Sequence, residues 1–185
     1  MKTAAFIDGS NFYASAKNLG FTINYKLLLE WLKRERGLFR AYYYTAIRPN
    51  QDDNPIIRLC DWLEYNGFTM NVKDTKEFLN QDTGRMKVKG NMDVEMVVDA
   101  MLMAKHVDHI MLFTGDGDFT YLVDNLQKLG VYVTVCSTIK TKPSMLADEL
   151  RRQADEFFDI SELVAPKILY PFRESLREEP IQFGT

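Results

Sequence analysis

Residues 109–122 read HIMLFTGDGDFTYL, and the fold turns on how this stretch divides. His109–Phe113 is an apolar run of the length of a buried strand, and it breaks into Thr114-Gly115-Asp116-Gly117-Asp118. A second apolar pattern starts at Phe119 with helical spacing and closes at Gly130. The unit is a strand, a glycine-spaced acidic turn, then a helix. Asp-Gly is a common turn pair, and Asp118 stands where a helix cap would stand. The same two carboxylates also fit one half of a metal site.

The punctuation recurs on both sides of this stretch. Ala4–Ile7 is a short apolar strand closed by Asp8-Gly9-Ser10-Asn11. Asn24–Leu32 has helical spacing and ends before Gly37, and Phe39–Ile47, FRAYYYTAI, reads as a second strand. A helical pattern at Ile56–Tyr65 stops at Asn66-Gly67, and Phe68–Val72 is a third strand. Thr75–Lys89 is polar and contains DTGR, which predicts a hairpin or loop excursion. Met92–Lys105 reads as a helix, His109–Phe113 as the fourth strand and Val131–Val135 as the fifth. Strands alternating with helices imply parallel pairing through crossovers, so the expected fold is α/β: a three-layer α/β/α sandwich with a mainly parallel, Rossmann-like sheet. From Ile160 onward Pro166, Pro171 and Pro180 interrupt the pattern. The expected domain is therefore residues 1–160, with 161–185 as a C-terminal extension, an appended segment or mobile end that could mediate a homo-oligomer.

Composition narrows the class. With 185 residues, 46% hydrophobic and 26% charged, the chain suits one soluble globular domain. No apolar run approaches the roughly 20 residues of a membrane span, and Ala4–Ile7 is too short for a signal-peptide core. Cys60 and Cys136 lack paired-ligand spacing and read as buried, reduced thiols, which fits a cytoplasmic address. A net charge of −3 excludes a basic coat, so any nucleic-acid contact must come from a local patch.

In an open α/β sheet, ligands collect outside the carboxyl ends of the strands. DGSN, TGDGDF and CSTIKTKPS should emerge there, bringing Asp8, Asp116 and Asp118 together if their strands are neighbours. The helix from Met92 supplies a fourth acid. At about 100° per residue, Asp93 falls on the core side beside Met96, Val97, Ala100 and Ala104, whereas Glu95 and Asp99 mark the expected solvent face. A buried carboxylate must be paired, hydrogen-bonded, metal-bound or protonated. Four carboxylates about 4–5 Å apart would repel by roughly 3–4 kcal/mol per pair at an effective dielectric of 20. A divalent cation removes that cost, and oxygen-only ligands favour Mg²⁺ or Mn²⁺. The glycines around Asp116 would let the backbone approach the ion. Such ions recruit phosphate oxygens, which makes phosphodiester hydrolysis the natural reaction.

Phosphate-backbone contacts are expected from the basic residues. Arg85, Lys87 and Lys89 alternate in GRMKVKGN, and Lys140 and Lys142 lie in the loop after the fifth strand. Phe12, Tyr13 and Tyr42–Tyr44 could stack bases, although core packing is the simpler reading. His106 and His109 sit at the entry of the fourth strand, which puts them at the edge of the sheet opposite Asp116. There is no Walker loop, no G-x-G-x-x-G, and no second aspartate of an Asp-x-Asp phosphatase pattern in FIDGSN.

Taken together, FIDGSNFY, VKGNMDVEMVVDAM and FTGDGDFTYLVDNLQKLGVYV resemble the NYN domain, a branch of the PIN-like nucleases, and most of all its LabA-like members. The similarity runs from about Lys2 to Ile160, and ADEFFDI resembles the family's closing pattern. The resemblance implies a PIN-like fold and metal-dependent cleavage of RNA, leaving a 5′-phosphate. It maps Asp8, Asp93, Asp116 and Asp118 onto the shared acidic site and Asn11 onto a polar contact for water or phosphate. It also matches Asp99 to a recurring family acid, with Ser10 and Thr114 bordering the site. The alternative it allows is a non-catalytic regulator that keeps the fold as an RNA- or protein-binding module.

Overall fold

The strand Thr3–Asp8, β1, is buried from Thr3 through Ile7, and its alternate residues feed two separate cores. Ala5 and Ile7 pack on one face and Ala4 and Phe6 on the other. Such two-sided burial is the mark of a central parallel strand. The protein, as a computed structural model, is described for residues 1–47, 55–79, 86–89 and 91–172, with backbone only for 76–79 and 86–89.

In chain order, β1 is followed by α1 (Gly9–Asn18), β2 (Phe21–Ile23), α2 (Tyr25–Arg36), β3 (Leu38–Ile47), α3 (Pro55–Tyr65) and β4 (Phe68–Asp74). Then come β5 (Lys76–Leu79), β6 (Met86–Lys89), α4 (Asp93–Met103), β7 (His109–Phe113) and α5 (Thr120–Lys128). The remainder is β8 (Tyr132–Ser137), α6 (Asp148–Gln153), β9 (Glu156–Asp159) and β10 (Leu169–Pro171). Six strands form one sheet in the order β4-β3-β1-β7-β8-β9, with every neighbouring pair parallel. Helices α1, α2 and α3 supply the core on one face, and α4, α5 and α6 on the other. The fold is the expected three-layer sandwich.

The chain winds outward from β1 in one direction through β3 and β4, and from β7 in the other through β8 and β9. The crevice between β1 and β7 is thus the topological switch point, where open α/β sheets place their ligands. Local chemistry enforces the turns. Asn24 caps α2 by accepting from the Leu27 amide at 3.0 Å, and Gly37 ends it in the left-handed region at φ 62°. The polar stretch after β4 forms a two-stranded antiparallel excursion, with Lys76 opposite Lys89 and Leu79 opposite Met86.

Residues 160–172 return to the body of the domain. A 3₁₀ turn at Ile160–Val164 leads to β10, which pairs antiparallel with β2, and Leu163, Ile168 and Leu169 are buried in the first core. Pro180 lies outside the described residues.

His109 belongs to the opposite end of the sheet from Asp8, since it pairs in register with Thr3. It is fully buried, with Nδ1 3.1 Å from the Thr3 hydroxyl and Nε2 2.7 Å from the Thr134 hydroxyl. It is a satisfied core histidine rather than a ligand, and His106 is exposed. Burial pushes the His109 pKa down to about 4. The unfolded chain takes up this proton near pH 6.5 and the folded chain only near pH 4, so the stabilisation is complete above 6.5 and is lost as pH falls through that window. Denaturant titrations should show a loss on the order of 3 kcal/mol between those limits. His109→Gln should remove that part of the pH dependence.

Candidate metal centre at the β1–β7 switch point

Asp8 ends β1 and caps α1. Its Oδ1 accepts from the Asn11 amide at 3.1 Å and the Ser10 hydroxyl at 2.8 Å, and its Oδ2 lies 3.5 Å from the Thr114 hydroxyl. Asn11 reaches across the crevice, its side-chain oxygen accepting from the Gly115 amide at 3.0 Å. Thr114 is fully buried and accepts from the Asp116 amide at 3.3 Å. Asp116 in turn caps the 3₁₀ turn Gly117–Phe119 by accepting from the Asp118 amide at 3.0 Å. The helix cap foreseen at Asp118 therefore falls to Asp116. These bonds fix the end of β1 and the turn after β7 as one unit.

Asp93 opens α4 on the same rim. Asn91 brackets it, donating its side-chain amide to Asp93 Oδ2 at 2.6 Å and accepting the Asp93 backbone N–H at 2.8 Å. One carboxylate oxygen from each of Asp93, Asp116 and Asp118 lies within 4.8 Å of the others. Asp8 stands beside this group without being part of it. Asp93 is half-buried, whereas Asp116 and Asp118 are exposed. None of the four makes an ion pair among the described residues. Burial raises the Asp93 pKa, the Asn91 hydrogen bond opposes the rise, and the charges of Asp116, Asp8 and Asp118 add to it. An all-oxygen donor set, gathered against its own repulsion and lacking a cationic side chain, fits a hard divalent ion.

The glycines of the turn have a packing role. A Cβ on Gly115 would lie 1.8 Å from the Met145 carbonyl oxygen and 2.6 Å from Ser137 Oγ. The Gly115 carbonyl also accepts from the Ala147 amide at 2.9 Å. The reason for glycine at 115 is thus the close passage of the segment after β8, rather than approach to an ion. At Gly117 a Cβ would meet Glu149 Oε1 at 2.4 Å, the far end of a flexible side chain. Glu149, in the first turn of α6, brings a further carboxylate to the turn, and no sequence pattern singled it out.

Asp99 corrects the helical-wheel reading. The outward residues of α4 are the exposed Val94, Val98 and Leu102. Asp99 instead faces the sheet, accepting from Tyr44 Oη at 2.8 Å and from Asn71 Nδ2 at 3.3 Å, and Glu95 pairs with Lys73 at 2.7 Å. The wheel treats charge as solvent-seeking, but β3 and β4 offer polar partners on that flank.

Of the expected basic contacts, two have described side chains. Lys140 is exposed and donates to Ser161 Oγ at 2.6 Å, and Lys142 is exposed on the same segment after β8. Lys87 and Lys89 lie on β6, whose side chains are outside the description, and Arg85 lies outside the described residues. Of the aromatics, Phe12, Tyr43 and Tyr44 are core, Tyr42 is half-buried, and Tyr13 is exposed.

A doubly wound α/β domain carrying an acidic cluster at its switch point is the class this geometry defines. The NYN domain model matches residues 2–162, and the chain belongs to the NYN domain family. It is 35% identical over 165 residues to the low amplitude and bright protein LabA of Synechococcus elongatus, covering 88% of this chain and 85% of LabA. Among solved structures, it is similar to a protein of unknown function from Vibrio parahaemolyticus, with a TM-score of 0.65 and 25% identity. That match covers 86% of this chain and 92% of the other. The sandwich is thus PIN-like, and NYN domains are generally nucleases.

Three variants test the centre, one its charge and two the packing of its turn. Asp93→Asn removes a like charge from the cluster and should raise the Tm of the metal-free protein by roughly 2–4 °C, the shift that about 1 kcal/mol produces at this size. It should also abolish any rise in Tm on adding Mn²⁺, as scanning calorimetry would show. Gly115→Ala should destabilise by about 2 kcal/mol or more, because the obstacle is backbone, whereas Gly117→Ala should cost far less. Denaturant midpoints would rank the two.

Proposed function

We propose that this protein is a divalent-metal-dependent nuclease that hydrolyses phosphodiester bonds in single-stranded RNA. The observation that carries this reading is the cluster of Asp93, Asp116 and Asp118, within 4.8 Å of one another and without a cationic partner among the described residues. Membership of a family whose domains are generally nucleases supports it. These three acids would hold Mg²⁺ or Mn²⁺, with Asp8 flanking them. When bound, the ion supplies Lewis-acid polarisation of phosphoryl oxygen and activation of water.

The protein's own residues set the conditions for that chemistry. Ser10, Asn11 and Thr114 hold Asp8 and the turn in place, so the acids are oriented before substrate arrives. An acidic rim on a chain of net charge −3 repels a polyanion, so phosphate is drawn in through the cation rather than through the protein. Lys140 and Lys142, on the segment that packs against Gly115, together with Arg85, Lys87 and Lys89, would supply contacts to the phosphate backbone. Contacts of this kind read no sequence.

Purified protein incubated with a single-stranded RNA and Mg²⁺ or Mn²⁺ should cleave it, and chelation should stop the reaction. Loss of an outer-shell partner commonly costs 10–100-fold, so Asp116→Asn, which removes a ligand, should cost at least about 100-fold. Equal cleavage by wild type and Asp116→Asn would trace the activity to a contaminant and reject the assignment.

A further inference from the structure

Hydrophobic pattern alone does not fix how α4 is rolled about its axis. Its inward residues, Met96, Ala100 and Ala104, are buried, but the outward Val94, Val98 and Leu102 are equally apolar and stand exposed. Apolar residues on two opposite faces leave only a weak amphipathic signal for its orientation. Two alanines make a smooth seam, and Met92 caps the helix without a side-chain hydrogen bond. Polar contacts along one flank must then decide the roll. The Glu95–Lys73 pair is solvent-exposed, and such pairs contribute little. Asp99 is different: Tyr44, which donates to it, is almost completely buried.

We infer that Asp99 is a positioning residue that, gripped by Tyr44 and Asn71, sets the roll of α4 and so holds Asp93 in register with Asp116 and Asp118. The grip comes from two adjacent strands, since Tyr44 on β3 pairs with Asn71 on β4. Tyr44 is itself tied to the acidic rim, because it lies opposite Asp8 in the β1–β3 register. Its ring packs beside Phe6, with centroids 6.4 Å apart and nearly parallel planes. Asp99 lies six residues beyond Asp93, about 9 Å further along the helix, which is too far to share an ion directly. The leverage is rotational. A carboxylate some 5–6 Å from the helix axis moves by about 2 Å for a 20° roll, whereas ligand distances in a metal site tolerate only about ±0.2 Å.

This role rests on the metal reading of the cluster, and the test separates the two. Mn²⁺ affinity of the full chain would be measured by calorimetric titration well below the unfolding temperature, with circular dichroism confirming the fold. Tyr44→Phe removes only the hydroxyl, and Asp99→Ala removes the acceptor. Each should weaken Mn²⁺ binding by roughly 10-fold or more, the lower end of what is lost when a ligand's own hydrogen-bond partner is removed. The double variant should be no worse than the weaker single, because both cut the same link. Asp99→Asn keeps an oxygen to accept from Tyr44 and should retain most of the affinity, and Glu95→Gln should bind like wild type. Undiminished Mn²⁺ binding by Tyr44→Phe and Asp99→Ala, even with a lowered Tm, would overturn the positioning role while leaving the metal site standing. Absence of Mn²⁺ binding in the wild type would sink the metal reading itself, and this role with it.

Discussion

Mutual repulsion among Asp93, Asp116 and Asp118 is the constraint around which the upper rim is organised. Like charges at these separations are unfavourable even where water screens them, and screening is weakest at the half-buried Asp93. The chain keeps them together by anchoring the turn that carries Asp116 and Asp118. Asn11 ties α1 to the Gly115 amide, Thr114 holds the Asp116 amide, and the segment at Met145–Ala147 closes on Gly115. Apolar burial supplies the free energy, and these short polar contacts give it direction.

That direction depends on the sheet. From β1 the chain winds toward β3 and β4, and from β7 toward β8 and β9, so the connections leave the switch point in opposite directions. Asp8 leaves one strand and Thr114–Asp118 leave the other, so the crevice is bordered by backbone whose ladder bonds have just ended. The free amides of Asn11, Gly115, Asp116 and Asp118 are then taken up by the side chains of Asp8, Asn11, Thr114 and Asp116. At the far end of the same strands, polar satisfaction serves burial instead, with His109 enclosed between Thr3 and Thr134.

Much of this was legible from residues alone, because glycine and acid punctuate apolar runs wherever a strand ends. His109–Phe113, Ala4–Ile7 and the Asp93 helix announce themselves by period and by turn chemistry. Strands β2, β9 and β10 do not, being three or four residues long and stabilised by pairing rather than propensity. Helix α1, GSNFYASAKN, is rich in polar and small residues, so its start reads only as a turn. The placement of Asp99 was out of reach for a different reason. Its partners Tyr44 and Asn71 lie 55 and 28 residues away, and a wheel contains no knowledge of what the facing strand offers. Glu149 and Met145 are likewise visible only once α6 and the β8 segment have docked.

Helix and turn capping account for part of Asp8 and Asp116, and hydrogen bonding separates Asp8 from the other three acids. Asp8 accepts from Ser10 and Asn11 at Oδ1, and its Oδ2 lies 3.5 Å from the Thr114 hydroxyl. Asp116 commits one oxygen to the Asp118 amide, and Asp93 commits one to Asn91. Asp118 accepts no hydrogen bond among the described residues. Asp93, Asp116 and Asp118 converge, while Asp8, whose Oδ1 accepts from both Ser10 and Asn11, stands just outside them. Residues that look alike in sequence thus differ in what the fold asks of them: Asp8 joins the end of β1 to α1, and Asp93, Asp116 and Asp118 converge on one point of the rim.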